Sequence, residues 1–131
     1  LFPSEHPQAG QAHIAADELA GVPLLGFSPG MSLRDRVQQE FGAIGLSPRF
    51  IASAQTVETL CAMVASGIGG AVIHPFAGHV AAMHGLQTTE IVGLNPLDLV
   101  LVTPVGSRLS LVAAEFVQGM EALLGDAKAT S

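Results

Sequence analysis

Short apolar runs alternate along the chain with stretches whose apolar positions recur at helical spacing, and this alternation predicts the architecture. Val22 to Phe27 is an apolar run suited to a buried strand. Before it, Asp17-Glu18-Leu19-Ala20 reads as a single helical turn closed by Gly21 and Pro23. After it, Ser28-Pro29-Gly30 is turn chemistry. Ser32 then reads as the N-cap of a helix with Leu33, Val37, Phe41 and Ile44 on one face, ended by Gly45 and Pro48. Arg49 to Ser53 is a short strand, and Thr56 caps a second helix that sets Val57, Leu60, Cys61 and Val64 on its apolar face and stops at Gly67. Gly69-Gly70-Ala71-Val72-Ile73 is apolar on both faces, as a central parallel strand would be, and His74-Pro75 stops it.

The flanks are less periodic. Leu1 to Gln11, with two prolines and one glycine, reads as an extended lead-in strand outside the core. Pro75 to Gly85 is a short alanine-rich helix and Leu97 to Thr103 a further strand. Ser107 or Ser110 opens a last helix, through about Leu124, with Ala113, Phe116, Val117, Met120 and Leu124 on its apolar face. Residues 125–131 form a small, polar tail expected to fray. Strands separated by helices of about ten residues imply a parallel sheet with right-handed crossovers, so the class is α/β.

Composition narrows the function. A chain of 131 residues, 49% hydrophobic and 12% charged, is one folded domain and not a disordered segment. Its apolar runs fall well short of the roughly 18 to 20 residues of a membrane span. Leu1-Phe2-Pro3-Ser4-Glu5 lacks the basic-then-apolar order of a secretory signal, so a cytoplasmic parent is expected. Cys61, without a second cysteine to pair with, fits a reducing compartment. A net charge of -6, with five lysines and arginines together, offers no basic patch for phosphates, so these residues are not expected to bind DNA by themselves.

In an open parallel sheet, ligands sit beyond the carboxyl ends of the strands, where helix N-termini expose unpaired amides and partial positive charge. Two such ends stand out, Ser28-Pro29-Gly30-Met31-Ser32 and Ser53-Ala54-Gln55-Thr56. Both combine hydroxyls with backbone N–H groups, which suits a carboxylate. Ser32 and Thr56 equally suit a purely capping role. His74 ends a strand at the same rim. A shared metal site with His79 and His84 is not expected, because a spacing of five turns successive helical side chains about 140° apart. Cys61 falls on an apolar helix face and reads as core. Gly67-Ile68-Gly69-Gly70 precedes a strand and lacks the lysine of a phosphate-binding loop. Asp35, Glu40, Glu58 and Glu115, with Arg34 and Arg36, read as solvated helix surface. No cofactor is implied.

Several segments resemble LysR-type transcription regulators. Asp17 to Leu25 is similar to that family's "dLaghPlI" segment, and His6-Pro7 with Ala9 to its "HPLA" connector. Leu60 to Pro75 resembles the helix-strand unit "LVaaGlGialvP". Leu99 to Pro104, Leu109-Ser110-Leu111-Val112 and Glu115-Phe116 resemble the final strand and helix. The resemblance covers nearly the whole chain. It implies a periplasmic-binding-protein-like (type II) subdomain with a mixed, mainly parallel sheet flanked by helices. It also implies a layout: residues 1–11 as a crossover from a first regulatory subdomain, 12–94 as the second subdomain, and 95–124 as return strand and C-terminal helix.

The Cys61-Ala62-Met63-Val64 run and the helix from Ser32 to Phe41 look most like the branch that senses lysine, octopine and nopaline. The Glu-Thr pair of that branch reads Ser53-Ala54 here, and His74 replaces an asparagine. The resemblance therefore implies a non-enzymatic sensor of a small amino-acid-like or other carboxylate effector, homo-oligomeric in its full-length form and touching DNA only through an N-terminal domain. Ser28, Met31, Ser32, Ser53, Ala54, Thr56 and His74 are the expected pocket residues. A piece of a periplasmic-type solute-binding protein is the alternative. An enzyme of the prephenate dehydratase type would need a catalytic partner for Thr56, and the sequence offers none.

Overall fold

The computed structural model describes residues 1–95, 100, 102–106 and 108–128. The chain divides into two compact units, Leu1–Pro96 and Leu97–Ser131. In the first unit, β1 (Phe2–Pro3), β2 (His13–Ala15) and β3 (Leu24–Phe27) precede α1 (Ser32–Ala43) and β4 (Phe50–Ala54). Then follow α2 (Val57–Ala65), β5 (Gly70–Ala71), α3 (Gly78–Met83), β6 (Leu86–Gln87) and β7 (Glu90–Val92). Single 3-10 turns occupy Ala16–Leu19 and Pro75–Ala77.

The central sheet runs β4-β3-β5, all parallel. All four residues of β3 are buried, because it is covered on both faces and bonded on both edges. Successive side chains leave a strand on opposite faces. Leu25 and Phe27 accordingly join Leu60, Cys61 and Val64 of α2 in one core. Gly26 faces Phe50 and Arg34 on the other side, where Val37 and Phe41 of α1 pack with Phe2, Ile14 and Leu19. β1 pairs antiparallel with β6, and β2 parallel with β7, so the strands are mixed overall.

β3, not the glycine-rich run, is the central strand. β5 ends at Ala71, and Val72 turns into the α1-side core instead of continuing the ladder. Leu1 and Phe2 are core residues, Phe2 only 2% exposed, because Ala71 exchanges backbone bonds with Leu1 and β1 closes against β6. Ile44 follows the last turn of α1 and is 45% exposed. Glu40 is buried, not solvated, since it flanks the apolar stripe of α1 and bonds to Asn95. β2, β6 and β7 carry no signal in the sequence pattern.

In the second unit, α4 (Leu111–Lys128) is opened by Ser110, whose Oγ accepts the Ala113 amide at 3.2 Å. The alternative cap Ser107, and most of the strand expected over Leu97 to Thr103, lie outside the described residues. The helix runs through Lys128, so the tail expected from Gly125 is helical as far as that residue. A glycine in a helix interior costs only about 1 kcal/mol, and no proline follows to stop the helix. Among the described residues no helix is long and apolar enough to cross a membrane.

Candidate effector site

The turns leaving β3 and β4 are tied together. The Ser28 amide donates to the Ala54 carbonyl at 3.0 Å, and the Ser28 hydroxyl reaches the same oxygen at 3.4 Å. Gly30, at φ +85°, reverses the chain with the Met31 amide bonded to Ser28 O at 3.1 Å. Met31 is the extended N-cap of α1 (φ -82°, ψ 132°), and its half-buried side chain packs on the α2-side core. Ser32 is therefore the first helical residue and not the cap expected from the sequence, which leaves its exposed hydroxyl free of a capping bond. The first amide to donate back into the helix is that of Asp35, to Met31 O at 3.1 Å. The amides of Ser32, Leu33 and Arg34 are the donors of the helix end with no acceptor among the described residues.

At the neighbouring end, Thr56 does cap α2. Its Oγ1 accepts the Thr59 amide at 3.3 Å and contacts the Thr59 hydroxyl at 3.0 Å. Thr56 is thus occupied structurally, and Thr56→Ala is expected to lower stability by about 1 kcal/mol in urea melts, the usual loss of a helix cap. Ser53 is exposed on β4, in register with Gly26. Asp35 and Glu58 sit in the first turns of α1 and α2, where they complement the helix dipoles.

His74 begins the turn beyond β5. Its Nδ1 accepts the Phe76 amide at 3.3 Å, which places the proton of the neutral ring on Nε2 and makes that nitrogen a donor. The ring also stacks on Phe76, centroids 4.6 Å apart. Nδ1 of His79 lies 2.9 Å from Phe76 O, and the described residues contain no group of three or more His, Cys, Asp or Glu side chains placed to hold a metal ion. The Cys61 thiol is pushed up by burial, as suits a core residue.

Sequence reasoning missed Arg34. Its guanidinium lies 3.3 Å from the Phe50 ring centroid and donates to Phe27 O at 3.3 Å. Burial lowers its basicity and the neighbouring Asp35 works against that. The available signal was Gly26, a glycine inside an apolar strand, which marks a close approach. A Cβ there would sit 2.6 Å from the Phe50 ring and 2.7 Å from the guanidinium. Among the described residues no carboxylate forms an ion pair with Arg34; Glu40 pairs with Arg36, and Glu90 lies 3.3 Å from His13 Nδ1.

A parallel sheet with two helix N-termini presented side by side at its carboxyl edge fits one lobe of a periplasmic-binding-protein-like (type II) fold. The chain matches the LysR substrate binding domain over residues 1–124 and belongs to that family. It is 25% identical over 122 residues to the transcriptional activator protein LysR of Escherichia coli (strain K12), covering 93% of this chain and 39% of the relative. The chain thus spans about two-fifths of that curated relative's length. Two solved structures are similar in fold. HinK, a LysR family transcriptional regulator from Pseudomonas aeruginosa, has a TM-score of 0.67 at 22% identity, covering 89% of this chain and 41% of HinK. The Synechocystis PCC6803 CcmR regulatory domain, in complex with 2-PG, has a TM-score of 0.69 at 20% identity, covering 93% of this chain and 60% of CcmR's.

Proposed function

We propose that this chain is the second half of the effector-binding region of a LysR-type transcription regulator and holds a small amino-acid-like or other carboxylate effector. The observation that carries this reading is the pair of helix N-termini, at Met31-Ser32 and Thr56, joined through the Ser28–Ala54 bonds at the ends of adjacent parallel strands. Open amides and a partial positive charge suit a carboxylate there. In this reading the Ser32 and Ser53 hydroxyls and His74 Nε2 serve as further donors. Met31 supplies an apolar wall, and Thr56 acts through its backbone because its hydroxyl is engaged. The CcmR regulatory domain, similar in fold, is in complex with 2-PG, which supports a small-molecule ligand.

In this reading residues 1–11 lead in from a first subdomain, with Leu1 and Phe2 packing into the lobe of 12–94, 95–124 are the return strand and C-terminal helix, and the effector lies between lobes in a cytoplasmic homo-oligomer. Binding favours one relative orientation and so repositions DNA-binding heads carried elsewhere in the full-length protein. The effector is not chemically changed. Ser32→Ala is expected to weaken effector binding about tenfold, the scale of one hydrogen bond to a charged group, while leaving the melting temperature unchanged because Ser32 caps nothing. Calorimetric titration of the two-lobed region with its effector checks this, and an unchanged affinity removes Ser32 from the site.

A further inference from the structure

Glu40, near the end of α1, is the buried charged side chain of the described residues, 7% exposed. Its Oε1 pairs with Arg36 at 2.9 Å, one helical turn earlier. Its Oε2 accepts both the backbone amide and the Nδ2 of Asn95, at 3.0 and 2.9 Å. The Asn95 bonds, backbone first, hold the carboxyl below the usual carboxylate range; burial works against them, and the Asn95 side chain and Arg36 assist. Removing a carboxylate from water is costly, and apolar side chains give cohesion at less expense of free energy. What the carboxylate adds is direction, because two donors of a single residue are fixed at once on one oxygen.

The position of that residue gives the contact its meaning. Asn95 immediately precedes Pro96, where the first unit ends. α1 begins at the open amides of the candidate site, and Glu40 lies eight residues further on, about 12 Å along a rigid helix. We propose that Glu40 is a positioning residue that locks the exit of the chain to α1, so that a displacement at the amide end of the helix moves the exit with it. The connection to an effector rests on the reading above; the lock does not, and it is tested without effector.

In the 131-residue chain, spin labels at Ala62→Cys in α2 and Gln118→Cys in α4, with Cys61→Ala to remove the native thiol, report the distance distribution between the two units. Glu40→Gln keeps the shape and removes the charge. It is expected to speed exchange of the Asn95 amide about tenfold and to shift or broaden the distance distribution. Asn95→Ala leaves Glu40 its backbone donor and Arg36, and is expected to act in the same sense but less. Circular dichroism confirms that each variant is folded, and Asn95→Ala decides the matter by the same two readouts if Glu40→Gln is not. A faster Asn95 amide with the parent distance distribution overturns the proposal, leaving Glu40 a local clip. A failed effector titration leaves this result untouched and counts against the effector reading alone.

Discussion

Leu25→Ala is expected to lower the unfolding free energy by about 3 to 4 kcal/mol, read from urea melts at constant slope. Leu25 is fully buried in β3 and packs in the core that Leu60, Cys61 and Val64 of α2 complete. Truncation removes the transfer free energy of three carbons and leaves a void that a strand bonded on both edges cannot close. Domains of this size are typically stable by only about 5 to 15 kcal/mol, so the loss takes a large share. Leu25→Met, which keeps the volume, is expected to cost under about 1.5 kcal/mol. A loss below about 1 kcal/mol for the alanine variant would contradict the placement of β3 at the centre of the sheet.

Gly69→Ala is the second large effect, about 2 to 3 kcal/mol of destabilisation by the same melts. A Cβ on Gly69 would overlap the carbonyl oxygen of Pro23, a backbone atom that no rotamer change can move aside. That carbonyl also accepts the Gly70 amide at 3.0 Å, so relief of the clash separates β5 from β3. Gly67 provides the contrast. It has φ +80° and open space around a Cβ, so Gly67→Ala acts only through backbone strain, about 1 to 2 kcal/mol. The glycines of this segment are there for close packing and a helix terminator, which is why they mimic a phosphate loop in composition and not in position.

The same residues show what was legible in the sequence. α1, α2 and β3 were found because each has a strong period or a continuous apolar run bounded by glycine and proline. β2, β6 and β7 were missed because two or three residues carry no periodicity. Their places are set by pairing with segments far away in sequence, such as His13 with Glu90. The strand at Gly69 to Ile73 was read too long because apolar residues serve a ladder and a core equally well. The turns after β3 and β4 lie where the apolar runs end, but residue type misassigns one role. Ser32 has the chemistry of a cap, and Met31 holds the position. Glu40 reads as surface in the sequence because its partner, Asn95, lies 55 residues away.

The most direct measurement is a thermal-shift screen of the lobe joined to its first subdomain, against amino acids, opines and other small carboxylates. An amino-acid-like carboxylate is expected to raise the melting temperature. A ligand at a hundred times its Kd adds about 2.7 kcal/mol of stability, and that gain should shrink in Ser32→Ala. No shift with any compound, or an equal shift after Ser32, Ser53 and His74 are all replaced by alanine, would contradict a carboxylate site at the ends of β3, β4 and β5.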